Sequence, residues 1–115
     1  MKPIKSMKCY ISKELPPLHL LFTKEDDIIV VRCLDFSISS HGITIKEALE
    51  SINSSLIDYI KYGLENSDID SLFDPELKEY WDMYRELEIK QEKKSFKEHF
   101  KEVEKNVLNE GLIYA

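Results

Sequence analysis

Carboxylates, thiols and imidazoles are the side chains here that could cut a bond or hold a metal. Asp26, Asp27, Asp35, Glu47 and Asp58 are the acids of the strand-rich half on which a catalytic constellation could draw. Metal-assisted hydrolysis needs several such groups converging on the ions. Asp26 and Asp27 fall in a polar turn, Glu47 stands at capping distance from Thr44, and Asp58 lies on a solvated helix face. None sits in mid-strand. Cys9, His19, Cys33 and His41 could ligate a soft metal, but their spacings match no compact zinc pattern, whose cysteines come in close pairs. Cys33 reads as a core residue at a strand end, His41 as a loop hydrogen-bonding group and His99 as solvated. No G-x-S-x-G, P-loop, dinucleotide-binding glycine pattern or H-E-x-x-H occurs. No serine stands in the context of an activated nucleophile. The expected catalytic set is empty, and no metal or cofactor is expected.

Binding chemistry is better represented. From Glu65 to Glu88 there are acids at positions 65, 68, 70, 74, 76, 79, 82, 86 and 88, against only Lys78 and Arg85. Within this run Trp81 stands with Tyr80 and Tyr84, the densest aromatic cluster of the chain. At helical spacing such a stripe is ordinarily core. Trp and Tyr are also enriched at interface hot spots, and the acidic surroundings suit that role. The formal net charge of −6 argues against general nucleic-acid affinity, which needs basic surface to neutralise phosphates. It fits a basic protein partner, or simple solubility. Lys90, Lys93, Lys94, Lys97, Lys101 and Lys105 are interleaved with Glu92, Glu98, Glu102 and Glu104, which reads as a solvated, salt-bridged helix face.

The elements that must position these groups are legible as periodicities. Leu18 to Thr23 and Ile28 to Cys33 are strand candidates joined by the polar turn at Lys24 to Asp27, a hairpin. Phe36 to His41 alternates with the period of a half-buried strand. After Gly42, Thr44 and Glu47 have the spacing of a capping box. Ile45, Ala48, Leu49, Ile52, Leu56, Tyr59 and Ile60 then form one apolar helical stripe, ended by Asn66-Ser67-Asp68. Asp74-Pro75-Glu76 predicts a second helix with Asp74 as its cap and Pro75 at its first position. Leu77, Tyr80, Trp81, Tyr84 and Leu87 supply its apolar stripe. The polar stretch from Ile89 to Ser95 is a linker or the solvated middle of a longer helix. Ser95 starts a third helical pattern through Phe96, Phe100, Val103, Val107 and Leu108, ended by Gly111, with Leu112 to Tyr114 as a possible terminal strand. Met1 to Lys13, stopped by Pro16-Pro17, is either a frayed arm or an added edge strand.

The stretch from Val30 to Ile60 resembles the N-terminal domain of HicB-type antitoxins. The matching residues are Leu34-Asp35, His41-Gly42 and Thr44-Ile45-Lys46-Glu47-Ala48-Leu49. Leu34 and Ile38 stand at or near places where the family often has Pro and Gly. The resemblance implies a cut-down ribonuclease H-like fold without that enzyme's carboxylate cluster, and a partner that is a small basic ribonuclease of HicA type. It implies occlusion of the toxin's active site and no enzymatic activity. Many such antitoxins carry a C-terminal DNA-binding module; the pattern of neither a ribbon-helix-helix nor a helix-turn-helix is found here.

The 115 residues thus predict one domain, 1–115, with a HicB-like core at 18–64 and a helical extension at 65–115. The expected fold is α+β: a small antiparallel sheet, one long helix packed on a face, and two C-terminal helices. Asp35, Asp68, Asp70, Asp74 and Trp81 are the expected partner-binding residues. A homo-oligomer is expected. A DNA-binding regulator and an orphan homo-oligomeric domain without a toxin are the alternatives. Two cysteines do not make a disulfide framework, and no signal peptide or membrane-spanning run is visible, so the expected location is the cytoplasm.

Overall fold

The computed structural model describes residues 1–115. Four strands, β1 (Lys2–Cys9), β2 (Leu18–Glu25), β3 (Ile28–Cys33) and β4 (Ile38–Gly42), form one antiparallel sheet in the order β1-β2-β3-β4. The basic N-terminal stretch is therefore an edge strand. Pro3 is tolerated there, next to a register shift between Pro3 and Lys5, because an edge strand need not donate on both sides. Asp26, with φ 55, turns the chain between β2 and β3.

Helix α1 (Ile45–Glu65) starts as its sequence dictates. The Thr44 hydroxyl accepts from the Glu47 N–H at 3.1 Å, and the Glu47 carboxylate accepts from the Ile43 N–H at 2.9 Å. Gly42 is required by proximity: a Cβ there would come within 2.5 Å of the Ala48 backbone nitrogen. The strand end thus lies against the first turn of the helix. Leu18, Leu20, Phe22, Val31 and Cys33 project from the sheet onto Ala48, Ile52 and Leu56 of α1, making the larger core.

The opposite face is covered by α2 (Lys78–Glu98). Leu21 and Leu34 pack there against Tyr84, with Tyr80, Trp81, Met83 and Leu87 around them. The sheet is thus enclosed between two helices, α1 over β3 and β4, α2 over β1 and β2. β2, central and covered on both sides, is buried from Leu20 to Thr23.

Three local expectations are corrected. Asp74 and Pro75 do not open α2, which begins at Lys78 with Leu77 before it and no side-chain cap. The Asp74 and Glu76 amides instead donate to the Asp35 and Leu34 carbonyls, at 3.0 and 2.8 Å. The third helical pattern does not start at Ser95: of the two readings of 89–95 the helical one holds, α2 running on through it to Glu98, and the path changes direction at His99, ahead of α3 (Phe100–Lys105). Gly111, with φ 77, ends the helical region, and Leu112 to Tyr114 add no strand.

Candidate protein-binding surface

Site geometry begins at the β3–β4 turn, residues 34–37, around which the chain passes from one sheet face to the other. Asp35 points inward. Its carboxylate accepts from the His19 N–H at 2.7 Å and lies 3.0 Å from His19 Nδ1. The Leu34 N–H donates back to the His19 carbonyl at 2.9 Å. Trp81 and Tyr84 cover the imidazole, with ring centroids 5.2 and 5.3 Å away. A carboxylate orienting an imidazole is part of a nucleophile-activating triad. Here the imidazole's only side-chain hydrogen-bond partner is Asp35, and aromatic rings flank it in place of a nucleophile. The nearby Cys33 thiol is completely buried, and burial pushes it up to about 11, which keeps it a thiol at neutral pH. The arrangement is a latch that ties β2, the β3–β4 turn and α2 together. No group of three or more His, Cys, Asp or Glu side chains is placed to hold a metal ion.

Outside this latch runs the acidic strap, residues 66–77, from the end of α1 to the start of α2. Tyr59 donates to the Leu72 carbonyl at 2.8 Å, and Leu72 fits against Gly63, where a Cβ would meet its side chain at 2.5 Å. The Ser37 hydroxyl donates to the Asp74 carbonyl. With the amides of 74 and 76 tied to the turn, the strap is held at both its middle and its end. Asp68 caps a short turn, accepting from the Ser71 N–H at 3.3 Å. Asp70 and Asp74 are exposed, and their carboxylates have no bonded partner. The bases of the region are occupied: Lys78 pairs with Asp82 at 2.7 Å, and Arg85 with Glu88 and Glu92. Glu65, Asp68, Asp70, Asp74, Glu76 and Glu79 therefore form a negative field with no cation paired to it.

Apolar side chains stand open within this field. Phe73 rests edge-on against Phe36 at 5.2 Å yet is 59% exposed, and Leu77 is 65% exposed. Of the five residues expected from the sequence, Asp68, Asp70 and Asp74 lie together on the strap. Asp35 is half-buried beneath it in the latch. Trp81, on α2, is half-buried against His19 and takes part in that latch. Sequence reasoning passed over His19 as a partner of Asp35, and Phe73 and Leu77 as exposed groups. Leu77 fits the helical stripe by spacing and falls outside it only because α2 begins one residue later.

No protein family's sequence profile matches this chain, and no curated protein or solved structure does.

Proposed function

We propose that this chain is a cytoplasmic protein inhibitor of the HicB antitoxin type, without chemistry of its own, which binds a small basic ribonuclease resembling HicA toxins and occludes its active site. The observation that carries the reading is the strap: uncompensated carboxylates around exposed Phe73 and Leu77, on a backbone fastened to the β3–β4 turn. A charged rim around apolar anchors is what binds an oppositely charged protein quickly and keeps it. A fastened backbone lowers the ordering cost of association. The sheet meander followed by a glycine and a capped helix is the element order the HicB resemblance calls for.

The test is to recover the tagged full chain from its native host and identify what accompanies it. A small basic protein should co-purify, and its cleavage of RNA should stop on adding a stoichiometric amount of the chain. Replacing Asp68, Asp70 and Asp74 with Asn together should slow association and flatten its salt dependence. Phe73→Ala should instead speed dissociation. A co-purifying protein that cleaves no RNA, or one bound at the same rates by all these variants, would sink the reading.

A further inference from the structure

Beyond the sandwich, the chain continues as a helical arm from Ile89 to Glu110. Every residue from Gln91 to Lys105 except Val103 is exposed. The radius of gyration is 17.2 Å, against about 13 Å for a compact chain of this length. On this arm Phe96, Phe100, Val103 and Val107 are spaced 4, 3 and 4 apart in sequence, a coiled-coil spacing that crosses the bend at His99 and enters a π-helical turn at Asn106–Glu110, so that pairing along it straightens the arm at His99. Phe96, Phe100 and Val107 are 65%, 63% and 59% exposed. An isolated helix of this length with mixed composition is marginal in water, so the seam needs cover.

The charges on the arm say what covers it. Its first half carries Lys90, Lys93, Lys94 and Lys97 against Glu92 alone. Its second half carries Glu98, Glu102, Glu104 and Glu110 against Lys101 and Lys105. The arm is therefore complementary to itself when reversed. We propose that the arms of two copies pair antiparallel, Phe100 of one against Val103 of the other and Phe96 against Val107, across a two-fold axis. In that register Lys97 faces Glu104 and Lys93 faces Glu110 of the second copy. Lys93, Lys97 and Glu104 make no ion pair within the chain, and Glu110 reaches only Lys105 at 3.8 Å. Each contact occurs twice, as a closed two-fold interface requires.

Charge also disfavours the parallel alternative. Residues 89–115 hold six lysines and five glutamates, so the chain's whole negative excess lies in residues 1–88. Parallel arms would bring two acidic sandwiches together, whereas antiparallel arms hold them at opposite ends. The pairing leaves the strap free, and so stands apart from the toxin reading.

Sedimentation velocity on the full chain across micromolar concentrations tests the proposal. A dimer is expected, and Phe96→Ser with Phe100→Ser should leave a monomer whose Trp81 fluorescence, reporting the sandwich, is unchanged. Lys97→Glu and Glu104→Lys should each weaken the dimer about tenfold, by placing like charges opposite one another. Mixing those two variants should restore a dimer as tight as the original, because each supplies the charge the other needs. A chain monomeric throughout overturns the proposal, and so does a dimer indifferent to the Phe96 and Phe100 changes. Charge variants that fail to rescue each other place the contact elsewhere or the arms parallel.

Discussion

The two faces of the sheet are covered by different physics. Under α1 the contacts are aliphatic and aromatic: Phe22, Val31 and Ile52 are wholly buried and Leu20 nearly so. Under α2 the buried cluster is only Leu21, Leu34 and Tyr84, with half-buried Tyr80, Trp81, Met83 and Leu87 packed around it. The remainder is directional. Arg32 stacks on the Tyr80 ring at 4.5 Å while donating to Thr23 and Glu25, His19 meets Asp35, and Lys8 lies 3.8 Å from Glu88. Apolar burial stabilises in proportion to area and is indifferent to orientation. Polar pairs add little net stability but fix position, because a misplaced partner leaves a buried polar group unsatisfied. The α1 face therefore supplies most of the stability. The α2 face decides where the strap and α2 lie, and so where the candidate binding surface is held.

The sharpest way to break this distinction is truncation on each face. Phe22→Ala should cost about 3–5 kcal/mol in denaturant unfolding. Trp81→Ala, half-buried against the His19 ring and the small Leu21–Leu34–Tyr84 cluster, should cost about 2 kcal/mol. Equal losses would mean that α2 is as much a core helix as α1. Next in size is Gly42→Ala, in which the new methyl meets backbone and cannot be relieved by a side-chain rotation; a loss of about 2 kcal/mol is expected. A neutral result would show that the strand-to-helix approach is looser than described.

Thr44→Ala should lower stability by about 1 kcal/mol, through the lost bond to the Glu47 amide. An unchanged melting temperature would mean that tertiary packing alone sets the start of α1. An effect of another kind, seen only at alkaline pH, comes from the same core. Burial raises the Cys33 thiol from an ordinary 9.0 to about 11, so the folded state keeps a proton that the unfolded state has released. Its stabilising contribution is complete below pH 9 and falls as pH climbs towards 11. Unfolding curves at pH 8, 9.5 and 11 should show this slope, and Cys33→Ala should reduce it, leaving the part due to Tyr84, whose phenol burial raises from 10.0 to about 12. In the native protein a thiol reagent should modify half-buried Cys9 and spare buried Cys33. Fast labelling of both would show that the α1 face opens readily.

Local patterns in the chain were enough for the β2–β3 hairpin, the whole of α1 and the fourth strand, except that alternation starts that strand at Phe36 whereas Phe36 and Ser37 belong to the turn before Ile38. Alternation and a capping box act within a few residues, and each of those elements satisfies its own backbone or that of its sequence neighbour. The same reasoning misplaced the start of α2. Asp74-Pro75-Glu76 has every local mark of a helix start, yet the Asp74 and Glu76 amides find the carbonyls of 35 and 34, forty residues back in the chain. The acidity of Asp68, Asp70 and Asp74 was visible from composition, because charge needs no fold to be counted.

Burial, by contrast, is a property of what lies opposite. His19 and Asp35 are 16 positions apart, and nothing in their spacing announces the pair that Trp81 covers. Phe96 falls on an apolar stripe by spacing, and nothing in the sequence marks Phe73 as exposed. Only the path of the strap over the turn and the projection of the arm past the sheet leave both in water. Periodicity states which side chains share a face, since that depends on the repeat of one element. Which face meets another surface depends on contacts between distant residues, and those the folded chain alone supplies.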